Sequence, residues 1–94
     1  MISIVSAMVR VLYFASARDL TKKEYDDVDI AKTFKDSSTV PLNTLLDYIE
    51  NLYIGKSIFQ SALFAVNNEY SDRASNVDVK NSDEVAVIPP VSGG

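Results

Sequence analysis

Apolar and polar residues follow one another along this chain in blocks of differing length and period, and each block predicts an element. Met8-Val-Arg-Val-Leu-Tyr-Phe-Ala15 is dense in β-branched and aromatic residues and of strand length. The polar Ser-Ala-Arg-Asp stretch after it opens a short helix over Ser16 to Lys23. From Tyr25 to Phe34 the apolar residues Val28, Ile30 and Phe34 are scattered among Asp and Lys, the pattern of an edge strand. Leu42, Leu45, Leu46, Ile49 and Tyr53 then recur at helical spacing, with Asn43, Asp47, Glu50 and Asn51 on the other side, which predicts the main amphipathic helix. Pro41 suits its first turn and Gly55 its C-terminal cap. Ala62-Leu-Phe-Ala-Val66 reads as a strand that reverses through Asn67-Asn68 into a short strand at Glu69-Tyr70. A second turn at Asn81-Ser82-Asp83 leads into a last strand, Glu84-Val-Ala-Val-Ile88, which Pro89-Pro90 ends.

Strand, strand, helix, strand, short strand, strand describes an α+β roll: a small mixed sheet with one main helix packed on one face. The first and last strands are apolar on both faces, as central parallel neighbours are. Alternation then puts Leu12, Phe14 and Ile88 on the side opposite Val11, Tyr13 and Val87. One side meets the helix, and the other has no internal cover.

Composition narrows the chemistry. A chain of 94 residues with 47% hydrophobic content fits one domain. It contains no Cys and no His, so thiol nucleophiles, thiolate or imidazole metal ligands and Ser-His or Cys-His pairs are excluded. A net charge of −4 and the lack of a long basic run argue against nucleic acid as a partner. Met1 to Ala17 superficially resembles a signal peptide, but it lacks a basic leading segment and Arg10 interrupts its apolar stretch. No apolar run approaches the roughly 20 residues that span a bilayer, so a soluble protein without a membrane partner is expected, with the cytoplasm as its assumed location. The acidic group Asp26, Asp27 and Asp29 reads as a solvated edge.

The remaining chemical group is the C-terminus. Val91-Ser92-Gly93-Gly94, fully extended, reaches about 13 to 14 Å beyond the prolines, enough to enter a partner's pocket. Pro89 and Pro90 stop sheet pairing and launch this tail in a stiff direction, and glycine allows passage through a narrow channel. A terminal carboxyl group, with a pKa of about 3.3 to 3.7, is an anion at neutral pH and a poor electrophile. Adenylation by an ATP-dependent partner would activate it, after which sulfur or an amine could displace AMP. Lacking Cys, the chain can carry only sulfur that is added to it. Composition alone favours a different reading, in which Gly93-Gly94 is a frayed end.

A resemblance tips the balance. Asp83-Glu-Val-Ala-Val-Ile-Pro-Pro-Val-Ser-Gly-Gly94 resembles the end of the small, sulfur-carrying subunit of molybdopterin synthase, the MoaD-like family of ubiquitin-like proteins. Val9-Arg-Val-Leu-Tyr-Phe-Ala15 with Arg18-Asp19-Leu20 is similar to that family's opening strand and helix, and Ala65-Val66-Asn67 to its third strand. The likeness covers nearly all of Met8 to Gly94. It divides the chain into an N-terminal extension (1–7), a β-grasp domain (8–90) and a flexible tail (91–94). It implies that Gly94, preceded by Gly93, is adenylated by an E1-like enzyme and converted to a thiocarboxylate. The tail then enters the large synthase subunit and gives its sulfur to cyclic pyranopterin monophosphate, in a heterotetramer of two small and two large subunits. No cofactor stays bound: ATP belongs to the activating enzyme, and AMP rests on Gly94 only in passing. Phe14, Arg18, Tyr70 and Ile88 fall at positions that in the family contact the large subunit or the activating enzyme, while Pro89, Pro90, Val91 and Ser92 carry the tail into the partner. Tyr70 and Ile88 stand where the family has a leucine and an aromatic residue. The catalytic groups would come from the partner, which makes this a non-catalytic, sulfur-donating subunit. Other readings are a related carrier for thiamine or tRNA thiolation, a ubiquitin-like modifier conjugated to lysines through Gly94, and an interaction domain with an inert tail.

Overall fold

The computed structural model describes residues 8–35, 37–53, 62–72 and 77–90. Strand β1 (Val9–Tyr13) leads into helix α1 (Ala15–Thr21), and the chain returns as β2 (Tyr25–Val28). A short helix α2 (Ile30–Thr33) and strand β3 (Thr39–Pro41) precede the long helix α3 (Leu42–Leu52). Strands β4 (Leu63–Val66), β5 (Glu69–Ser71), β6 (Asp78–Lys80) and β7 (Glu84–Ile88) follow. The main sheet has the order β2-β1-β7-β4-β5, with β1 and β7 parallel and the other pairs antiparallel. The first and last strands are thus central parallel neighbours, as their two-sided apolar character implies.

Alternation along these strands decides what is buried. Val9, Val11 and Tyr13 of β1 and Val85 and Val87 of β7 point inward, against Leu42, Leu45, Leu46 and Ile49 of α3. All nine are at most 1% exposed, and each such aliphatic side chain contributes about 1.5 to 3 kcal/mol of transfer free energy. Asn67 and Asn68 both adopt positive φ (51° and 73°), which suits a two-residue hairpin turn between β4 and β5. Their turn is tied to the next one: Asn67 Nδ2 donates to Asp83 at 2.9 Å, and Asp83 accepts from the Lys80 backbone at 2.9 Å and from its Nζ at 3.2 Å. Burial would raise the pKa of Asp83, but the hydrogen bonds from Asn67 and Lys80 outweigh it and leave the carboxyl below its ordinary range.

Several expectations are corrected. Tyr25 to Phe34 is not one edge strand, because Asp29 ends it. Its carboxylate accepts from the backbone N–H groups of Ala31 (3.1 Å) and Lys32 (3.4 Å), capping α2, while the Ile30 N–H donates to Asn81 Oδ1 at 3.0 Å. Pro41 is not in the first turn of the main helix. It closes β3 with an extended ψ of 143° and precedes α3, whose first N–H, on Leu42, donates to Val77 O at 2.8 Å. The helix ends at Leu52, leaving Tyr53 just beyond it. The antiparallel pair β3–β6 was not anticipated; Val40 and Val79 face each other there, each a lone buried residue between exposed neighbours.

The acidic group is a solvated edge only at Asp27, which is exposed on the edge strand β2. Asp26 accepts from Tyr13 Oη at 2.8 Å, from Tyr53 Oη and from Lys23 Nζ at 2.8 Å, with the two tyrosine rings edge to face at 6.1 Å. Asp27 holds Arg10 through two hydrogen bonds of 3.0 and 3.1 Å. Gly55, the extension Met1 to Ala7 and the tail Val91 to Gly94 lie outside the described residues.

Candidate functional site

Away from α3, the main sheet presents a face that no second layer covers among the described residues. Register aligns its outward residues in rows across four strands: Leu12 lies opposite Ala86, Ala86 opposite Ala65, and Ala65 opposite Tyr70. A second row pairs Leu63 with Ile88, and Phe14 follows β1 at the same end. Leu63 is 56% exposed, Phe14 39% and Tyr70 75%. Large apolar groups gathered on one uncovered face are the mark of a docking surface rather than of scattered surface residues. A recess of about 240 Å³ runs through it, with Leu12, Phe14, Tyr70 and Ile88 around Ala65 and Ala86 and with Asn68 and Glu84 at its other end. A neighbouring hollow of about 310 Å³ is shared by Leu63, Phe64, Tyr70, Ser71 and Asp72.

Three of the residues singled out by sequence, Phe14, Tyr70 and Ile88, therefore line one recess. Phe14 is held at the corner between β1 and α1 by its N–H, which donates to Val87 O at 3.2 Å, and by Ala15, a non-glycine residue at φ 50°. Arg18 is not in that recess; it lies on α1 beside a separate hollow with Asp19, Lys22, Lys23 and Glu24. Pro89 is buried and Pro90 exposed, and the last described residues thus lie just past Ile88, at the end of the central strand β7. Val91, Ser92, Gly93 and Gly94 lie outside the described residues. Sequence reasoning did not pick out Ala65, Ala86, Leu63 or Glu84. The alternation that placed Leu12 on this face would have placed them too, once the pairing of β4 with β7 was known.

Residues 11–94 match the ThiS family. The chain belongs to the ThiS family. Among its relatives, the molybdopterin synthase sulfur carrier subunit of Drosophila sechellia is 36% identical over 87 residues, covering 92% of this chain and 90% of the relative. The subunit of the same name from Anopheles gambiae is 33% identical over 90 residues, covering 95% and 94%. In structure the chain resembles a complex of subunits 1 and 2 of the molybdopterin-converting factor of Helicobacter pylori, with a TM-score of 0.61 at 24% identity over 93% of this chain and 99% of that one. It also resembles SAMP1 of Haloferax volcanii, with a TM-score of 0.73 at 19% identity over 93% and 99%. At such identities the structural likeness speaks for the fold, which is the ubiquitin-like β-grasp that the sequence resemblance implied.

In this ThiS-family chain the uncovered face is polarised along its strands. At one end Asp27, Arg10 and Glu84 form a charged row across β2, β1 and β7, with the Arg10 guanidinium 3.8 Å above the Tyr25 ring. At the other end, where β7 gives way to the tail, the row is Phe14, Ile88 and Leu63. Such a face is suited to docking a partner beside the end of β7.

Proposed function

We propose that this chain is the sulfur carrier of a molybdopterin synthase and that its working atom is the carbonyl carbon of Gly94. The observation that carries the reading is the nearly full-length likeness to molybdopterin synthase sulfur carrier subunits, on a fold whose last described residues, Pro89 and Pro90, follow the central strand beside an uncovered apolar face. An E1-like enzyme joins the Gly94 carboxylate to AMP, using ATP. A sulfur nucleophile then displaces AMP and leaves a thiocarboxylate. In the large subunit the sulfur passes to cyclic pyranopterin monophosphate as its dithiolene is built.

The chain's part is delivery. Phe14, Tyr70 and Ile88 dock on the large subunit, Arg18 adds a contact at the side, and Pro89, Pro90, Val91 and Ser92 thread Gly93 and Gly94 into the partner. The name of the Helicobacter pylori complex, which joins subunits 1 and 2, supports a large-subunit partner of this kind. The base or cation that the transfer step needs comes from that partner. No helix among the described residues is long and apolar enough to cross a membrane.

Incubation with an activating enzyme, ATP and a sulfur donor is expected to make the protein heavier by the difference between sulfur and oxygen, located at Gly94 by fragmentation. Adding the large subunit and cyclic pyranopterin monophosphate should return the original mass and give the dithiolene product. An unchanged mass with a competent activating system overturns the proposal, and lysine conjugates through Gly94 in place of pterin product would favour a modifier.

A further inference from the structure

The middle of the uncovered face is lower than its surroundings. Ala65 and Ala86 sit directly opposite each other on β4 and β7, with Leu12 on one side and Tyr70 on the other. Two adjacent alanines among such large residues leave a trough of about 240 Å³, room for a single long side chain. A partner that merely laid a flat apolar surface over it would leave the trough empty and forfeit the dispersion contacts of its floor.

One end of the trough is not apolar, because Glu84 and Asn68 close it. Glu84 is exposed, and its carboxylate makes no ion pair with any described residue. The cation nearest in register is Arg10 on β1, but its guanidinium is held by Asp27 through two hydrogen bonds and lies on the Tyr25 ring. The trough is thus an apolar channel that ends at an exposed carboxylate, which Arg10 attracts from the next strand without forming an ion pair with it.

We infer that this trough is a socket for one lysine or arginine side chain of the large-subunit partner, whose methylene stem lies on Ala65 and Ala86 and whose cationic head meets Glu84. The inference rests on the docking reading above and adds the chemistry at the centre of that interface. Long cationic side chains bury their hydrocarbon while keeping the charge at a polar edge, which is the shape and polarity of this channel. The exposed carboxylate and the net charge of −4 select a cation over a purely apolar plug. The central place of the trough is where a few contacts dominate binding energy.

Binding to the purified large subunit, titrated at low and at high salt, tests this. Glu84→Gln keeps the size and removes the charge, and it is expected to weaken binding about tenfold at low salt and to flatten the salt dependence. Ala86→Leu fills the floor and is expected to weaken binding about a hundredfold or more. Loss of binding by Ala86→Leu with unchanged affinity and salt dependence for Glu84→Gln would overturn the cationic occupant. If both bind normally while Phe14→Ala is weakened, the socket falls and the docking face stands. If Phe14→Ala and Tyr70→Ala bind normally as well, the docking reading falls with it. Should Ala86→Leu not fold, Glu84→Gln decides alone: a wild-type titration at both salt concentrations overturns the inference.

Discussion

Asp26 gathers hydrogen bonds from three separate parts of the chain: Tyr13 on β1, Tyr53 beyond α3 and Lys23 after α1. Its side chain is 17% exposed. Burial pushes its pKa up, but the donated hydrogen bonds of Lys23, Tyr53 and Tyr13 outweigh that and hold it below the ordinary value. The two tyrosines shift the other way, raised first by burial and then by the Asp26 carboxylate. Asp26 therefore contributes stability that is present above the unfolded carboxyl pKa of about 4 and is lost as pH falls through its lower folded value. Tyr13 and Tyr53 contribute stability that is present below about pH 10 and is lost as pH rises through their higher folded values. Asp26→Asn is expected to cost about 1 to 3 kcal/mol at pH 7 and to flatten the acid side of the stability profile, as measured by urea unfolding between about pH 2 and 7. Asp83 keeps part of the acid sensitivity in that variant. Wild-type stability at pH 7 would show the cluster to be dispensable. None of this was legible in the sequence: Tyr53 is 27 residues from Asp26, and an acidic triplet with distant partners looks like a solvated edge.

At the scale of elements, period was legible and brevity was not. Helix α3 showed itself because Leu42, Leu45, Leu46 and Ile49 repeat over three turns, and β1 and β7 because both carry apolar residues on both faces. Strands β3 and β6 have three residues each, too few for alternation to register, and their pairing is set by the fold around them. Helix α2 hid within an apparent strand because Val28 and Ile30 are spaced as in a strand. The sign to heed was Asp29, a good N-cap just ahead of Ile30-Ala31-Lys32. For the stripe on α3, Leu46→Ala is expected to cost about 2 to 5 kcal/mol, since the residue is fully buried against the sheet. Thermal unfolding should show the Tm lowered by roughly 10 °C or more. A shift of a degree or two would mean that the core closes around the loss.

For the molecule as a whole, docking and delivery can be separated. Tyr70→Ala and Phe14→Ala remove side chains from the uncovered face, so affinity for the large subunit should fall about tenfold or more with little change in the urea midpoint. Inserting one residue between Ser92 and Gly93 should leave that affinity intact and abolish pterin product, because the reacting carbon moves by about 3.3 to 3.6 Å. Product formation by the lengthened chain would contradict delivery at a fixed reach. Of this site, the sequence revealed Leu12, Phe14 and Ile88 by alternation and Phe14, Tyr70 and Ile88 by resemblance. It did not reveal the alanine floor, because small apolar residues in a strand look like ordinary core until the register shows which way they face. The parallel seam between β1 and β7 has a further consequence. The strand in the middle of the sheet is the last of the described elements in chain order, so β1, which pairs early with β2, waits through the synthesis of everything between them before it gains its second neighbour. A nascent chain that stops short of Ile88 lacks the keystone of its sheet and should stay unfolded, and the body that presents the tail forms only once the strand beside that tail has been made.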